Sequence, residues 1–408
     1  MLTRRLLTAA SLAAVVSARA HAEPARDKTF ADDFDELWHT LGERYCYFAD
    51  KSVDWLAVRR LYRLKALAAG SQDEFAEIVR LVCAELYDAH THPAEQTPGT
   101  PYWPPWDLLV EPGGAGAAVV AVYAGSAAED AGIVPSDVIV AVNGEPVANA
   151  ARRYLPRCLT RPDKAADRYA VNVAVGGLRG QARRIVVQRN GTTWIVDLPL
   201  KHYPAVPDLE AKALPEGFGL IAIRSFAESS VVMAFDSALA RFAGAPGLII
   251  DVRYNGGGDT AVARPIMGRF ISQKKPYALM RRRDGQGLSA PWTEYVDPRG
   301  PFTYQKPVVV LCGHWSASMA EGFPMGMRDI GAATVVGTPM MGLGAAVYDI
   351  VLDRTGIRAQ YSAEPVYDTS GVPRSAFRPD VIVPDTQDSL NVAIATLQHL
   401  CVRTDGQR

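Results

Sequence analysis

Two stretches near the start of the chain repeat apolar residues at the spacing of an amphipathic helix. They cover residues 34–41 and 74–86. Ser71 precedes the second stretch as a good N-cap, and Glu74 follows three residues later, as in a capping box. The pattern predicts helices across residues 29–89, followed by a linker rich in proline and glycine.

The middle of the chain changes to short apolar strands separated by turn residues. Asn143-Gly144 and Asn190-Gly191 are dipeptides typical of tight turns between antiparallel strands. The alternation indicates a small β-rich module. Its predicted strands are residues 117–123, 138–142, 184–188 and 193–198.

The last part of the chain alternates apolar strands with helical stretches. Residues 248–250 and 308–311 are continuous apolar runs, which are typical of strands buried on both faces of a mainly parallel sheet. Residues 335–337 and 381–383 are predicted as further strands, and residues 389–400 as a closing helix. The whole pattern predicts an α/β protein of several domains (α+β in its overall arrangement), with a mainly parallel sheet in the C-terminal core.

The first 22 residues have the layout of a secretory signal peptide. Arg4 and Arg5 precede an apolar stretch at residues 6–18, and Ala20-His21-Ala22 is a typical cleavage site. The apolar stretch is too short for a membrane anchor. We therefore expect cleavage after Ala22 and a periplasmic or secreted protein, with the Sec and twin-arginine export routes both left open.

A chain of 408 residues is too long for one ordinary core, so several domains are expected. We predict four segments. They are a signal peptide at residues 1–22, an N-terminal helical domain with its linker at 23–105, a β-rich module at 106–201 and an α/β core domain at 202–408.

Charge and cysteine content narrow the function classes. Without the signal peptide the chain keeps 40 basic and 44 acidic residues, and it has no long basic run, which argues against nucleic-acid binding. No second segment is apolar enough to cross a membrane. The five cysteines lack metal-type spacing, so no metal or organic cofactor is implied. One or two disulfides stay open, and Cys312 lies in an apolar run typical of the core.

A serine follows one of the buried strands at a turn into a predicted helix. In Ser316-Ala317-Ser318-Met319 the hydroxyl of Ser318 would lie at a helix N-terminus, where backbone N–H groups favour a developing negative charge. Taken alone, this pattern is more typical of a structural N-cap.

A second strand ends in a glycine-rich turn, Asn255-Gly256-Gly257-Gly258, and this changes the balance. Glycines let the backbone approach a ligand closely and point N–H groups at it. A peptide hydrolase needs two such donors for its oxyanion, and the amides of Gly257 and Met319 are the candidates. A merely flexible loop would explain the glycines but not the segment Asp251-Val252-Arg253-Tyr254-Asn255 that precedes them.

Taken together and in order, these segments resemble the carboxy-terminal processing (tail-specific) and tricorn-like serine peptidases, which carry a PDZ module. The resemblance implies Ser318 as nucleophile and Arg253, Asn255, Glu321 and Asp329 as supporting residues. It also implies a PDZ-like domain and a ClpP/crotonase-like core. The matching segments are residues 88–91, 125–133, 137–144, 251–258, 316–321, 342–344 and 378–383.

One position departs from the tail-specific branch. Its turn between two glycines holds a lysine that activates the serine, whereas this chain has Leu343 between Gly342 and Gly344. Leucine cannot accept a proton, so another base is needed. Lys306 begins the strand that leads to the serine, about 20 Å from it. Lys274 and Lys275 lie in a loop that the sequence does not place.

Histidine is the usual alternative base because its pKa lies near neutrality. The resemblance to the tricorn-like branch favours His90. His314, four residues before Ser318, is a rival that more simply lines the turn. The acid that would orient the base is unassigned. The candidates are Asp88, Glu364 and Asp368.

The leading hypothesis is an exported serine peptidase that binds and cleaves peptide or protein tails. The PDZ-like module would capture an extended segment by strand addition. Because of Leu343, an inactive family member that acts as a peptide-binding protein is the alternative. A carrier of hydrophobic small molecules is a third idea, and no feature of the sequence specifically supports it.

Pro324 is expected to shorten or bend the helix after Ser318.

Overall fold

The structure, a computed structural model, describes residues 29–114, 116–201, 205–385 and 387–405. The predicted signal peptide lies outside the described residues. Within the described residues, no helix has the length and apolar character needed to cross a bilayer.

The N-terminal region is built from three helices that pack on one another. Ser71 caps the third helix as predicted, since its hydroxyl accepts a hydrogen bond from the N–H of Glu74. Helices end at residue 84 rather than at 89, because residues 85–91 turn towards the C-terminal domain. The elements are α1 (Thr29–Arg44), α2 (Trp55–Ala68), α3 (Gln72–Ala84) and the short strand β1 (His92–Pro93).

The middle module is an antiparallel sheet in the order β2-β3-β4-β6-β7, with β5 paired to β4. Its predicted strands are present, and a long helix, α6, lies along β2. The sequence analysis missed α6 because its buried residues form no single apolar stripe. The elements are β2 (Leu108–Gly113), β3 (Gly116–Val122), α4 (Ala127–Asp130), β4 (Val138–Val142), β5 (Glu145–Pro146), α5 (Val147–Arg152), α6 (Lys164–Gly176), β6 (Arg183–Arg189) and β7 (Thr192–Leu198).

In the part of the C-terminal region that the structure describes there are two larger sheets and four α-helices. The helices are α7 (Ser230–Arg241), α8 (Thr260–Met267), α9 (Met319–Asp329) and α10 (Ser389–Asp405). The strands are β8 (Leu209–Ala213), β9 (Gly219–Ile223), β10 (Leu248–Asp251), β11 (Lys275–Met280), β12 (Arg283–Asp284), β13 (Gly287–Leu288), β14 (Trp292–Val296), β15 (Val308–Cys312), β16 (Thr334–Gly337), β17 (Ala345–Val351), β18 (Arg358–Tyr367) and β19 (Val381–Ile382).

One C-terminal sheet has the order β19-β16-β15-β10-β9-β8. Neighbouring strands run parallel from β19 to β9, and β8 is antiparallel to β9. The register pairs Asp251 with Leu311, so β10 and β15 end side by side. The turns that follow these two strands, with the glycines and the serine, therefore start at the same edge of the sheet.

The other C-terminal sheet joins the N-terminal region to the core. It has the order β1-β18-β11-β14, with β17 paired to β18. His92 in β1 pairs with Gln360 in β18, and the Gln360 side chain donates a hydrogen bond to the carbonyl of His90. The segment that carries His90 is thus fixed against the C-terminal domain.

Candidate active site

The serine turn and the glycine turn are hydrogen-bonded to each other. The N–H of Ala317 donates to the carbonyl of Asn255 at 3.0 Å. The hydroxyl of Ser316 donates to the carbonyl of Val252 at 2.7 Å. Both Asn255 and Ser316 are fully buried. The relative position of the two turns is therefore set by buried backbone contacts.

Gly257 lies directly against Ser318 and Met319. A Cβ atom on Gly257 would lie 2.7 Å from the Cβ of Ser318 and 3.2 Å from the nitrogen of Met319. Its φ of +107° is a conformation that side-chain-bearing residues rarely adopt. Close approach and backbone angle together explain why glycine occupies this position. The structure thus brings together three of the residues that the sequence singled out.

Ser318 has an unusual backbone conformation. Its φ is +56° and its ψ is −118°, values that cost a non-glycine residue free energy. It immediately precedes α9, whose first N–H groups have no acceptor within the helix. The side chain is only half-buried. The N–H groups of Ala320 and Glu321 bind the carbonyls of Ala317 and Ser318. A strained, half-buried serine next to the Met319 N–H is an arrangement suited to a nucleophile. Pro324 lies inside α9, which continues to Asp329.

The amide of Gly257 is occupied in this conformation. Its N–H donates to Oδ1 of Asn255 at 2.8 Å, while Nδ2 of Asn255 donates to the carbonyl of Ile223. Asn255 therefore orders the glycine turn from within. For the Gly257 N–H to bind an oxyanion, it would have to leave Asn255.

Glu321 connects the serine turn to the turn that contains Leu343. Its carboxylate accepts hydrogen bonds from three backbone N–H groups, those of Ser318, Gly342 and Leu343, at 2.7 to 2.9 Å. Burial raises the pKa of this carboxyl, although the Arg374 guanidinium and the three N–H groups oppose the shift. The turn that contains Leu343 and the turn that contains Ser318 are thus joined through one shared carboxylate.

Arg374 is a buried residue that the sequence analysis missed. Its guanidinium donates to the carbonyls of Leu343 and Ala345. Only 5% of the residue is exposed, and burial lowers its pKa. A single arginine in this stretch of the sequence carries no signal of its own. The structure shows it stabilising the turn next to Ser318.

His90 is buried, and the charges of Asp88 and Arg374 act on its imidazole. Burial lowers the pKa of the imidazole to about 4, and the positive charge of Arg374 contributes while Asp88 opposes. Nδ1 of His90 has no hydrogen-bond partner. The Asp88 carboxylate accepts from the His90 N–H and from the Thr91 hydroxyl. Its own pKa is lowered, because Lys51 and His90 outweigh the effect of burial.

His90 should make unfolding depend on pH. An unfolded imidazole takes up its proton near pH 6.5, whereas the folded one does so near pH 4, so the unfolded state binds more protons between these values. Between pH 6.5 and 4 the wild type is expected to lose about 3 kcal/mol more of its free energy of unfolding than His90→Gln. Urea denaturation at several pH values measures this difference. Equal pH slopes for the two proteins would contradict the buried, neutral imidazole.

Other predicted candidates lie away from Ser318 or are engaged elsewhere. Asp329 is at the far end of α9, about 16 Å along the helix axis, where it accepts from the N–H of Thr369. Its predicted supporting role stays a prediction, and the helix places it away from Ser318. Asp368 binds Arg328 near the same end of α9, and Glu364 binds the Tyr348 hydroxyl.

The alternative bases are also engaged elsewhere. Nε2 of His314 lies 2.8 Å from Oδ1 of Asp385. The amines of the three lysines considered bind groups outside the serine turn. Lys274 pairs with Asp297, Lys275 donates to the carbonyl of Ile330, and Lys306 donates to the carbonyls of Ala243 and Ala245. Of the acids considered, Asp88 is the one that adjoins His90.

Arg253 has a structural position. Its guanidinium forms a bidentate pair with Asp251 and also donates to the Ser389 hydroxyl. It therefore joins the end of β10 to the start of α10. Cys46, Cys83, Cys158 and Cys312 are free thiols, and Cys312 is fully buried as expected. Among the described residues, no group of three or more His, Cys, Asp or Glu side chains is placed to hold a metal ion.

The PDZ-like module contacts the serine turn through aromatic rings. Tyr123, just after β3, packs edge-on against both Tyr254 and Trp315, with ring centroids 5.3 Å apart in each pair. A cleft of about 330 Å³ between the module and the core is lined by Val122, Trp315 and His314 among others. The module therefore forms one wall next to the turn that precedes Ser318.

Three family models match this chain in successive segments. Residues 26–84 match the tricorn protease C1 domain, residues 119–155 match a PDZ domain, and residues 217–383 match peptidase family S41. The matches confirm the resemblance to the carboxy-terminal processing and tricorn-like peptidases.

Curated relatives and solved structures point the same way. Two carboxy-terminal processing proteases of Bacillus subtilis (strain 168), CtpB and CtpA, are 27% and 28% identical over 237 and 233 residues. Each match covers 55% of this chain and 44% of the relative, so the similarity spans less than half the length of either relative. The photosystem II D1 C-terminal processing protease aligns with a TM-score of 0.58 at 20% identity, over 91% of this chain and 97% of that structure. Mature CPAF aligns at 0.59 and 15%, over 92% and 97%. At such identities the structures show a shared fold.

Proposed function

Because the chain resembles carboxy-terminal processing and tricorn-like serine peptidases, we propose that it hydrolyses peptide bonds in protein or peptide tails, with Ser318 as nucleophile. The observation that carries the proposal is the contact of Gly257 with Ser318 and the Met319 amide at one edge of the sheet. In this position a carbonyl carbon would face the Ser318 hydroxyl while its oxygen faces backbone N–H groups. The core would then have the ClpP/crotonase-like architecture that the family implies.

The proposed reaction has two stages, acylation of Ser318 and release of the acyl group by water. The Ser318 oxygen would attack the carbonyl carbon and give up its proton to a base. The oxyanion would bind the Met319 N–H, and the Gly257 N–H once that group leaves Asn255. The base would then protonate the leaving amine, and water would release the acyl group from Ser318. Glu321 would hold the Ser318 turn in place against the turn of Gly342 and Leu343 by binding their backbone N–H groups.

His90 is the proposed base. A lowered pKa leaves its imidazole neutral at pH 7, which is the form that accepts a proton. Asp88 is the proposed orienting acid, because it is the carboxylate that adjoins His90 and opposes the fall in its pKa. The positive charge of Arg374 lowers the pKa of His90 and would make it a weaker base than an isolated histidine.

Labelling with a fluorophosphonate probe tests the proposal. The wild-type protein is expected to be labelled, and Ser318→Ala to lose at least about 1,000-fold of the rate, because the reagent reacts with the activated hydroxyl alone. Ser229→Ala, at an exposed serine, is the control and should be labelled at the wild-type rate. His90→Ala should lower the labelling rate if His90 is the base. Equal labelling of the wild type and Ser318→Ala would contradict Ser318 as nucleophile.

A peptide-binding protein without turnover is the second candidate. Two observations favour it: Leu343 stands where the tail-specific branch has its lysine, and the Gly257 N–H is already bound to Asn255. On this hypothesis, folded wild-type protein would resist the fluorophosphonate as completely as Ser318→Ala does. The labelling experiment therefore separates the two candidates.

A further inference from the structure

The module offers a peptide one edge of its sheet next to a helix. Strand β2 is the first strand of the sheet, so β3 pairs with one of its sides and the other side faces α6. PDZ modules bind an extended peptide by adding it as a strand to such an edge. Whether this chain can do so depends on which N–H and C=O groups of β2 are unpaired.

The central peptide groups of this edge are already paired. The carboxamide of Asn172, in α6, accepts from the N–H of Val110 at 3.0 Å and donates to the carbonyl of Val110 at 2.8 Å. A residue of a paired antiparallel strand exchanges the same two bonds with its partner. Asn172 is 1% exposed, and its Nδ2 also binds the carbonyl of Arg168 within its own helix. The side chain is thus held in the position of a ligand's backbone.

Two further contacts extend this closure along the strand. Arg168 forms an ion pair with Glu111 at 2.6 Å, and the carbonyl of Gly176 accepts from the Trp106 indole at 3.4 Å. Residues 168, 172 and 176 are four apart and therefore lie on one face of α6. That face therefore contacts the chain between Trp106 and Glu111.

The edge is further blunted by a proline. Because alternate residues of a strand point their peptide groups to the same side, Pro112 shares the edge of Val110. Proline has no N–H to donate. The helix is also firmly anchored, since the side chains that flank Asn172 on its inner face are buried in the module's core. They are Ala166, Tyr169, Ala170 and Val173.

We propose that α6 is a built-in occupant of the PDZ-like edge, with Asn172 in the place of a ligand's backbone, so that the chain does not add a peptide strand to β2. This overturns the expectation that the module captures a tail by strand addition. The inference rests on the proposed function only in taking peptides as the ligand. It implies that a substrate is positioned at the core of the protein and that the module acts as a wall.

Backbone-methylated peptides test this proposal in full-length Ser318→Ala protein, which cannot turn the peptide over. The probe is a fluorescein-labelled decapeptide of alternating valine and serine with a free carboxylate. In one further version the amides of the odd-numbered residues are N-methylated, and in another those of the even-numbered residues. Because only one of these two sets of amides can face β2, one of the two versions must lose strand pairing. We expect the three peptides to bind equally weakly. In the Asn172→Ala variant of this protein, the unmethylated peptide should bind at least tenfold more tightly than the impaired version.

Hydrogen exchange at the Val110 amide gives a second readout. It should be slow in the parent protein, at least tenfold faster in Asn172→Ala, and slow again when the unmethylated peptide is bound. Asp167→Ala, at an exposed position of the same helix, is the matched control and should behave as the parent.

Two results would overturn the proposal. One is that the parent protein binds the unmethylated peptide tenfold more tightly than a methylated version, and that this binding slows hydrogen exchange at the Val110 amide further. The other is a folded Asn172→Ala protein with no gain in binding. If Asn172→Ala does not fold, the parent protein decides alone. These binding and exchange measurements do not depend on whether the wild-type protein reacts with fluorophosphonate. Failure of the proposed function is therefore recognised separately, in the labelling experiment.

Discussion

Replacing Glu321 with alanine is expected to lower the free energy of unfolding by about 3 to 6 kcal/mol and to abolish fluorophosphonate labelling. The substitution removes the acceptor of three N–H groups around a buried site. The three donating residues are half-buried, so each bond lost is expected to cost about 1–2 kcal/mol, in the lower part of the range for a buried donor left without a partner. The buried guanidinium of Arg374 would also lose its negative neighbour, which adds to the cost. Urea denaturation and the labelling rate measure the two effects.

A graded series makes this prediction sharper. Oε1 of Glu321 accepts from Ser318 and Leu343, whereas Oε2 accepts from Gly342 alone. In Glu321→Gln the remaining oxygen can keep the first two bonds and lose the third, so we expect about 1–3 kcal/mol of destabilisation. Glu228→Ala removes an exposed carboxylate and should stay within about 0.5 kcal/mol of the wild type. A Glu321→Ala protein as stable as Glu228→Ala would show that the carboxylate does not hold the two turns together.

The contact between the glycine turn and the serine turn could be predicted from the sequence. Residues 248–250 and 308–311 are continuous apolar runs, and strands of this kind lie side by side in a sheet. Because parallel strands end at the same edge, Gly257 and Ser318 were expected near each other, as the structure shows. The prediction needed the order of strand and turn alone, without any side-chain detail.

Side-chain partners were beyond the sequence for physical reasons. The spacing of Asn255 and Gly257 does not reveal that the asparagine oxygen turns back onto the glycine N–H. Arg374 stabilises carbonyls that are far from it in the chain, so no local pattern marks it. The position of Asp329, by contrast, could be predicted, because eleven helical residues rise about 16 Å and carry it away from Ser318.

The helix α6 illustrates a different limit. Periodicity identifies a helix by a contrast between a buried and a polar face. This helix buries residues on several faces, since it packs on the module's core and also closes the β2 edge. Asn172 therefore appears in the sequence as a polar interruption of an apolar run. Its pairing with Val110 emerges from the tertiary structure alone.

Gly257→Ala is expected to reduce the rate of fluorophosphonate labelling by at least about 100-fold in a protein that still folds. The new methyl group would lie 2.7 Å from the Cβ of Ser318 and 2.8 Å from the carbonyl of Ala317, so one of the two turns must move. A φ of +107° adds backbone strain of about 1–3 kcal/mol. A displacement of about 1 Å at a reacting group commonly costs 100-fold in rate.

Gly256→Ala is the matched control for this change. A Cβ at Gly256 would have no heavy atom within 4 Å, and the residue is exposed. The same methyl group, one residue earlier in the same turn, should leave the labelling rate within about threefold of the wild type. A loss at position 257 with retention at 256 would locate the effect at the contact with Ser318 rather than in the flexibility of the loop. If both variants label at the wild-type rate, the glycine turn does not form part of the reactive site, and the amide of Met319 would be left as the sole candidate donor to the oxyanion.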